Sequence, residues 1–269
     1  RLPGPFVLPE IGWISMGVVD TMMVGPLGRS AIAATGLGSG VFSAIAIFGM
    51  GLMLSLDALV SLAFGAGDRE ECARWLHQAV LLAVVTGPFV MAATWLAYLS
   101  LDQWGLHPEI QTLVAGYVRV VAAGPWPLLL YAAFRRYLQG MHVVRPIMFA
   151  LVSANLVNAA GNWMLIYGNL GLPALGVEGS AWATTAARIY MAGFLFLAIQ
   201  REDRRHPHRA VRWRFELARI RRLVTLGFPA AAQITLEVGV FAAATALAGK
   251  LGPVSSGSHQ IALDLASLA

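Results

Sequence analysis

An acid stands inside an apolar run. Asp20 lies within PFVLPEIGWISMGVVDTMMVGPLG, residues 5–28, a stretch long enough for one helix to cross a bilayer. A carboxylate at the centre of a membrane helix costs at least ~3 kcal/mol on insertion scales, and such residues characteristically face a cavity and handle an ion or a proton. Three amides recur further on. Asn155, Asn158 and Asn162 are spaced i, i+3, i+7, which is one face of a helix. At ~1.5 Å of rise per residue, Asp20 is about 22 Å from Pro5, and Asn158 and Asn162 are about 18 and 24 Å from Pro146, where their span begins. Thr184 and Thr185 lie about one turn into the next span, which runs the opposite way. Carboxylate, amides and hydroxyls thus converge in one layer. Such oxygen-rich groups suit Na⁺, and a buried carboxyl can equally carry a proton. The competing role for the asparagines is interhelical hydrogen bonding, which membrane helices use routinely. That role is preferred for Asn155. Glu237, eight residues after Pro229 and about 12 Å into its span, is expected to be a second buried acid, either an ion ligand or the partner of an arginine.

Other polar residues carry less chemistry. Glu10 and Asp57 fall near span ends, where solvation or capping explains them. Arg119 and Arg188 stand well inside their spans; pairing with acids is one reading for both, and for Arg188 the other is a position lower in the membrane than the span boundary suggests. There is no G-x-S-x-G, no H-E-x-x-H and no P-loop, and His77, His107, His142 and His259 have no partners at ligand spacing. No enzyme is expected, and no cofactor beyond a coupling ion, Na⁺ or H⁺. Asp20 and Glu237 are the candidate Na⁺ ligands.

The elements that position these groups follow from composition. Of 269 residues, 58% are hydrophobic and 12% charged, against roughly 25% charged in an ordinary soluble domain; mean hydropathy is +0.67. Apolar runs separated by short polar turns exclude a membrane β-barrel, whose strands are about 10 residues long and alternate. The expected fold is an all-α integral membrane protein. Its spans are placed near 5–25, 31–64, 75–99, 109–139 with a kink at GPWP (124–127), 146–167, 179–200 and 226–249, and an eighth begins by Ser255. The segments after spans 2, 4 and 6 hold fourteen Lys/Arg, nine of them between Arg201 and Arg222, while those after spans 1, 3 and 5 hold Arg29 alone. The positive-inside rule therefore puts the N-terminus and the Arg-rich linker in the cytoplasm. That linker, expected to contain a short surface helix, meets anionic lipid headgroups rather than nucleic acid.

A displacement of 224 residues superposes Pro5 on Pro229, Gly25 on Gly249, Leu27 on Leu251 and Gly28 on Gly252. Span 7 repeats span 1, which implies two parallel six-helix units. The chain divides into a first lobe (1–200), a linker (201–225) and the start of a second lobe (226–269). Both ends read as cut, since the first residue is Arg and the last residues run through SSGSHQIALDLASLA.

These residues also carry a resemblance. GVVDTMMVGPLG (17–28), ATGLG (34–38), FGAGD (64–68), YLQGMHVVRPIM (137–148), NLVNAAGNWMLIYGNLGLPALGVEGSAWAT (155–184), LGFPAAAQITLEVGVF (226–241) and SGSHQIAL (256–263) are similar to segments of the MATE family, the multidrug and toxic compound extrusion transporters. The resemblance covers essentially the whole chain. It implies a six-helix lobe of a two-lobe transporter and cation-coupled efflux. Asp20 matches the acid of the first-lobe ion or proton site, and Asn158 and Asn162 match its helix-5 polar positions. Glu237 matches a second-lobe acid associated with Na⁺ in one subclass, and Met16 stands where some members have a tyrosine. The implied partners are small organic cations or amphipathic drugs, exported by a monomer in the cell's inner membrane, with surrounding lipid and no nucleic acid. The rival readings are a flippase for lipid-linked oligosaccharides, of similar architecture, and a non-transporting membrane fragment.

Overall fold

The computed structural model describes residues 15–206, 211 and 213–250, and among them finds nine α-helices and no strand. The first, α1, is described over 15–24 and ends in a 3₁₀ turn, Gly25–Leu27. Then come α2 (Arg29–Leu52), α3 (Leu54–Gly65), α4 (Arg69–Ser100), α5 (Pro108–Val121), α6 (Pro125–Gly140), α7 (Arg145–Tyr167), α8 (Val177–Arg205) and α9 (Leu217–Lys250). The first part of span 1 with Glu10, residues 207–208 of the HPH motif and the expected start of span 8 lie outside the described residues.

Among the described residues, five helical segments are long and apolar enough to cross a membrane, and α5 with α6, bent by 56° at their break, count as a sixth if the pair is one span. The chain is a multi-pass membrane protein. Its outer surface agrees, since Met22, Leu62, Phe89, Phe149 and Leu156 are all exposed. The expected kink is found at GPWP: α5 stops at Val121, and Pro125 starts α6, where its missing N–H costs nothing. Span 2 is α2 and α3 joined through Met53, whose N–H bonds to the Met50 carbonyl three residues back, so one turn tightens.

The break in span 2 coincides with a helix crossing. A Cβ on Gly51 would meet Ala231 Cα at 2.5 Å, and one on Gly227 would meet the Leu52 carbonyl oxygen at 2.5 Å. Backbones that close need glycine, and van der Waals packing of small residues is what holds helices together in lipid. The helices α7 and α8 pair in the same way: Gly161 lies against Ala183, and Gly179 lies against the Leu165 carbonyl. Gly168, at φ +74°, turns the chain out of α7 in a left-handed cap.

One expectation for the linker changes. No separate surface helix is found among its described residues. Helix α8 runs on to Arg205, and 217–225 continue directly into α9, with Pro229 inside that helix. The linker docks on the start of α4. Gln78 donates to the Arg214 carbonyl at 2.7 Å and accepts from the Glu216 N–H at 3.1 Å, pairing with linker backbone as a strand would. The Trp213 ring stacks on His77 with centroids 4.0 Å apart. Arg219 grips Glu71 through both oxygens, bonds Glu216 and lies over Trp75.

Candidate cation site around Asp20

Helix α1 turns one face inward. Met16, Asp20 and Val24, four residues apart, are buried, while Gly17, Val18, Thr21 and Met22 are exposed. That stripe carries Asp20 into the bundle, where it is 6% exposed. A second tether holds α1 in place: the Tyr167 hydroxyl donates to the Met23 carbonyl at 2.5 Å.

On α7 the buried stripe runs Ile147, Ala150, Leu151, Ala154, Asn158, Asn162 and Ile166. On α8 it includes Ser180, Ala181, Thr184, Ala187 and Arg188. Because Gly161 and Gly179 let these helices touch, the two asparagines and Thr184 reach one carboxylate. Asp20 Oδ1 accepts from Asn158 Nδ2 at 3.0 Å and from Asn162 Nδ2 at 2.6 Å. Asp20 Oδ2 accepts from Thr184 Oγ1 at 2.9 Å. The amides are linked in turn, Asn162 Nδ2 donating to Asn158 Oδ1 at 3.2 Å.

All three donors are neutral. They solvate a carboxylate without cancelling its charge, and hydrogen bonds to an ionised acceptor are the stronger kind. The site also keeps unused capacity: Asn162 Oδ1 is buried with no hydrogen-bond partner among the described residues. An amide rotated about its last torsion would turn that oxygen toward the carboxylate's own ligand space. The cluster can therefore hold a bare carboxylate with amide N–H groups, or a cation with amide, hydroxyl and carboxylate oxygens.

The structure thus brings together Asp20, Asn158, Asn162 and Thr184. Asn155 sits outside the cluster and donates to the Leu151 carbonyl within its own helix. Thr185 bonds the Ala181 carbonyl. Glu237, expected to be buried, is exposed on α9 and is not brought to the Asp20 cluster. Arg119 does pair with an acid, Glu178 at 3.3 Å, at an exposed position. Asp57 faces Arg136 at 3.8 Å.

Two residues join the site from outside the expected set. Tyr117 of α5 is fully buried against Gly38 of α2 and borders Thr184 and Asp20. Its only sequence signal is its place on the buried stripe Val114, Tyr117, Val118, Val121. Arg188 lies one turn beyond Thr184 on α8. Its position in mid-span marks it in the sequence, while its surroundings do not show there.

Comparison with known proteins identifies relatives of the chain. Residues 5–164 match the MatE family. The chain is 32% identical over 270 residues to the probable multidrug resistance protein NorM of Bradyrhizobium diazoefficiens, a match covering 100% of this chain and 58% of that protein. It is 31% identical over 267 residues to the multidrug resistance protein MdtK of Klebsiella pneumoniae, covering 98% and 58%. In fold it is similar to the eukaryotic MATE transporter AtDTX14, with a TM-score of 0.85 and 18% identity over 98% of this chain and 60% of that one. The chain therefore spans a little under three fifths of the length of the curated relatives it matches. With a lobe that follows the MATE fold and a match through most of its length, the chain belongs to the MatE family.

Proposed function

We propose that the whole protein is a secondary active antiporter that exports cationic or amphipathic drugs and other toxic organic compounds in exchange for Na⁺ or H⁺. The observation that carries this is the bonding of Asp20: a buried carboxylate held by three neutral donors from two helices, with no cation in direct contact among the described residues. Binding a coupling ion there would recruit α1, α7 and α8 at once. A ligand shifts a two-state transporter only by its differential affinity for the states, and a site built across three helices can supply that difference. The linker and both helix ends that it joins lie on the cytoplasmic side in this reading, in the inner membrane, with the protein a monomer. Residues 1–200 form the first lobe, 201–225 the bridge and 226–269 the start of the second. Glu237 would contribute to Na⁺ binding from that second lobe.

The test is efflux of ethidium from cells expressing the full-length protein, under imposed Na⁺ and pH gradients. Efflux should follow one gradient and disappear in Asp20→Asn. Efflux that survives the substitution would remove Asp20 from the coupling site.

A second reading rests on a different place. Arg135 and Arg136 line a cavity of about 280 Å³ with Met50, Leu54, Tyr131 and Ile234. Basic groups beside apolar walls are what a flippase for a lipid-linked pyrophosphate would need. Transport of such lipids into proteoliposomes, with no ethidium efflux, would favour it.

A further inference from the structure

Arg188 is 7% exposed, in the middle of a membrane-spanning helix. No carboxylate lies within 4.0 Å of it among the described residues, and its Nη1 has no hydrogen-bond partner there. What it has instead is the face of Phe42, with the guanidinium carbon 4.5 Å from the ring centroid. Asp20 is the acid whose charge reaches it. A guanidinium buried in this way is expensive unless something nearby offsets its charge, and an aromatic face offsets only part of it. Thr184, which donates to Asp20, is four residues before Arg188, or about 6 Å along the same helix. The acid that lacks a direct cation and the cation that lacks a direct acid are therefore neighbours across one helical turn.

We propose that Arg188 is a tethered competitor of the coupling ion, a positioned positive charge that weakens the hold of the Asp20 cluster on a bound cation. This inference rests on the reading of Asp20 as the ion site. With Asp20 ionised and no ion bound, Arg188 balances its charge from a buried position, where the attraction is less screened than in water. A bound cation then adds a second positive charge within the same layer. The repulsion falls on the ion-bound form alone, so Arg188 lowers affinity and favours release. An antiporter must let its ion go as well as capture it, and a fixed internal charge does this without solvent entry. Arg188 acts here through Asp20, as a residue that sets specificity and affinity.

The experiment uses the full-length protein in detergent, titrated with NaCl against choline chloride at constant ionic strength, with Na⁺-dependent thermal stabilisation as the readout. Arg188→Met removes the charge and keeps apolar volume; Arg188→Gln does so with a polar end, should the first variant not fold. Arg188→Lys keeps the charge and loses the planar stacking on Phe42. The half-saturating Na⁺ concentration should fall at least fivefold in the Met or Gln variant, or a response should appear where the parent shows none, while the Lys variant stays with the parent. An unchanged midpoint in the neutral variants, no response in any variant, or a Lys variant that shifts with Met would each overturn the proposal. A Na⁺ response retained in Asp20→Asn would instead overturn the assignment of the ion site itself.

Discussion

Two charged clusters in this chain are built on opposite plans. At the linker, Glu71 and Arg219 meet oxygen to nitrogen, Glu216 adds a second acid, and Arg219 and Arg222 both lie over Trp75. Glu71, Glu216 and Arg219 each have a partner at contact distance. Around Asp20 the hydrogen-bond donors are all neutral, and the positive charge that reaches it, Arg188, stands one turn from Thr184 on α8. A clamp gains from satisfied pairs, because its job is to stay closed. A site that exchanges an ion must leave its charge available, because a carboxylate already paired with an arginine has nothing to offer a cation. On the proposed function, the difference separates a structural acid from a working one.

Substitutions can break or sharpen this contrast. The largest effect belongs to Asp20→Asn, which should abolish gradient-driven efflux of the full-length protein while leaving it folded and inserted; an equal loss of folded protein would place Asp20 with the structural acids. Next is the helix contact that builds the site. A side chain at Gly179 would meet the Leu165 carbonyl at 2.5 Å, so Gly179→Val should part α7 from α8 at a cost of about 1–3 kcal/mol. A fall in melting temperature together with lost Na⁺ response, while the linker stays resistant to protease, would show that the two clusters are independent.

The clamp comes third. Arg219→Ala leaves Glu71 without its main partner in a half-buried setting, and should cost about 1–2 kcal/mol. Faster proteolysis within 213–216, with unchanged Na⁺ affinity, is the expected result. A smaller effect belongs to the N-cap of α4. Asp68 accepts from the Glu71 N–H at 2.8 Å, and Asp68→Ala should cost about 1 kcal/mol, read as a modest loss of thermal stability. Arg119→Ala should be nearly silent, at under about 0.5 kcal/mol, since its pair with Glu178 is open to solvent. A large effect there would mean that the pair is covered in the complete protein.

Much of this was legible in the residues. Asp20 stood out because an acid within twenty apolar residues has no cheap explanation. The asparagines were aligned by spacing, and depth along a helix needs only the rise per residue. The kink at GPWP follows from the chemistry of proline. The limits of α8 and α9 were less legible, because the polar turns 201–205 and 217–225 remain helical where a hydropathy pattern ends. Charge marks the edge of lipid, and a helix can continue past it.

Composition and periodicity by themselves determined that this chain crosses a membrane many times, that its acid and amides share a layer, and that the three asparagines share one helix face. Those are properties of single helices, set by local spacing. Partner choice was decided only in three dimensions. Glycines at 161 and 179 bring α7 and α8 close enough for Asn158, Asn162 and Thr184 to converge on one carboxylate, and Gly38 makes room for Tyr117 beside them. Whether Arg188 pairs with an acid or stands off from it depends on the rotation of α8 against α1 and α2. No pattern along one helix contains that angle, since it arises from how small residues on neighbouring helices let backbones meet.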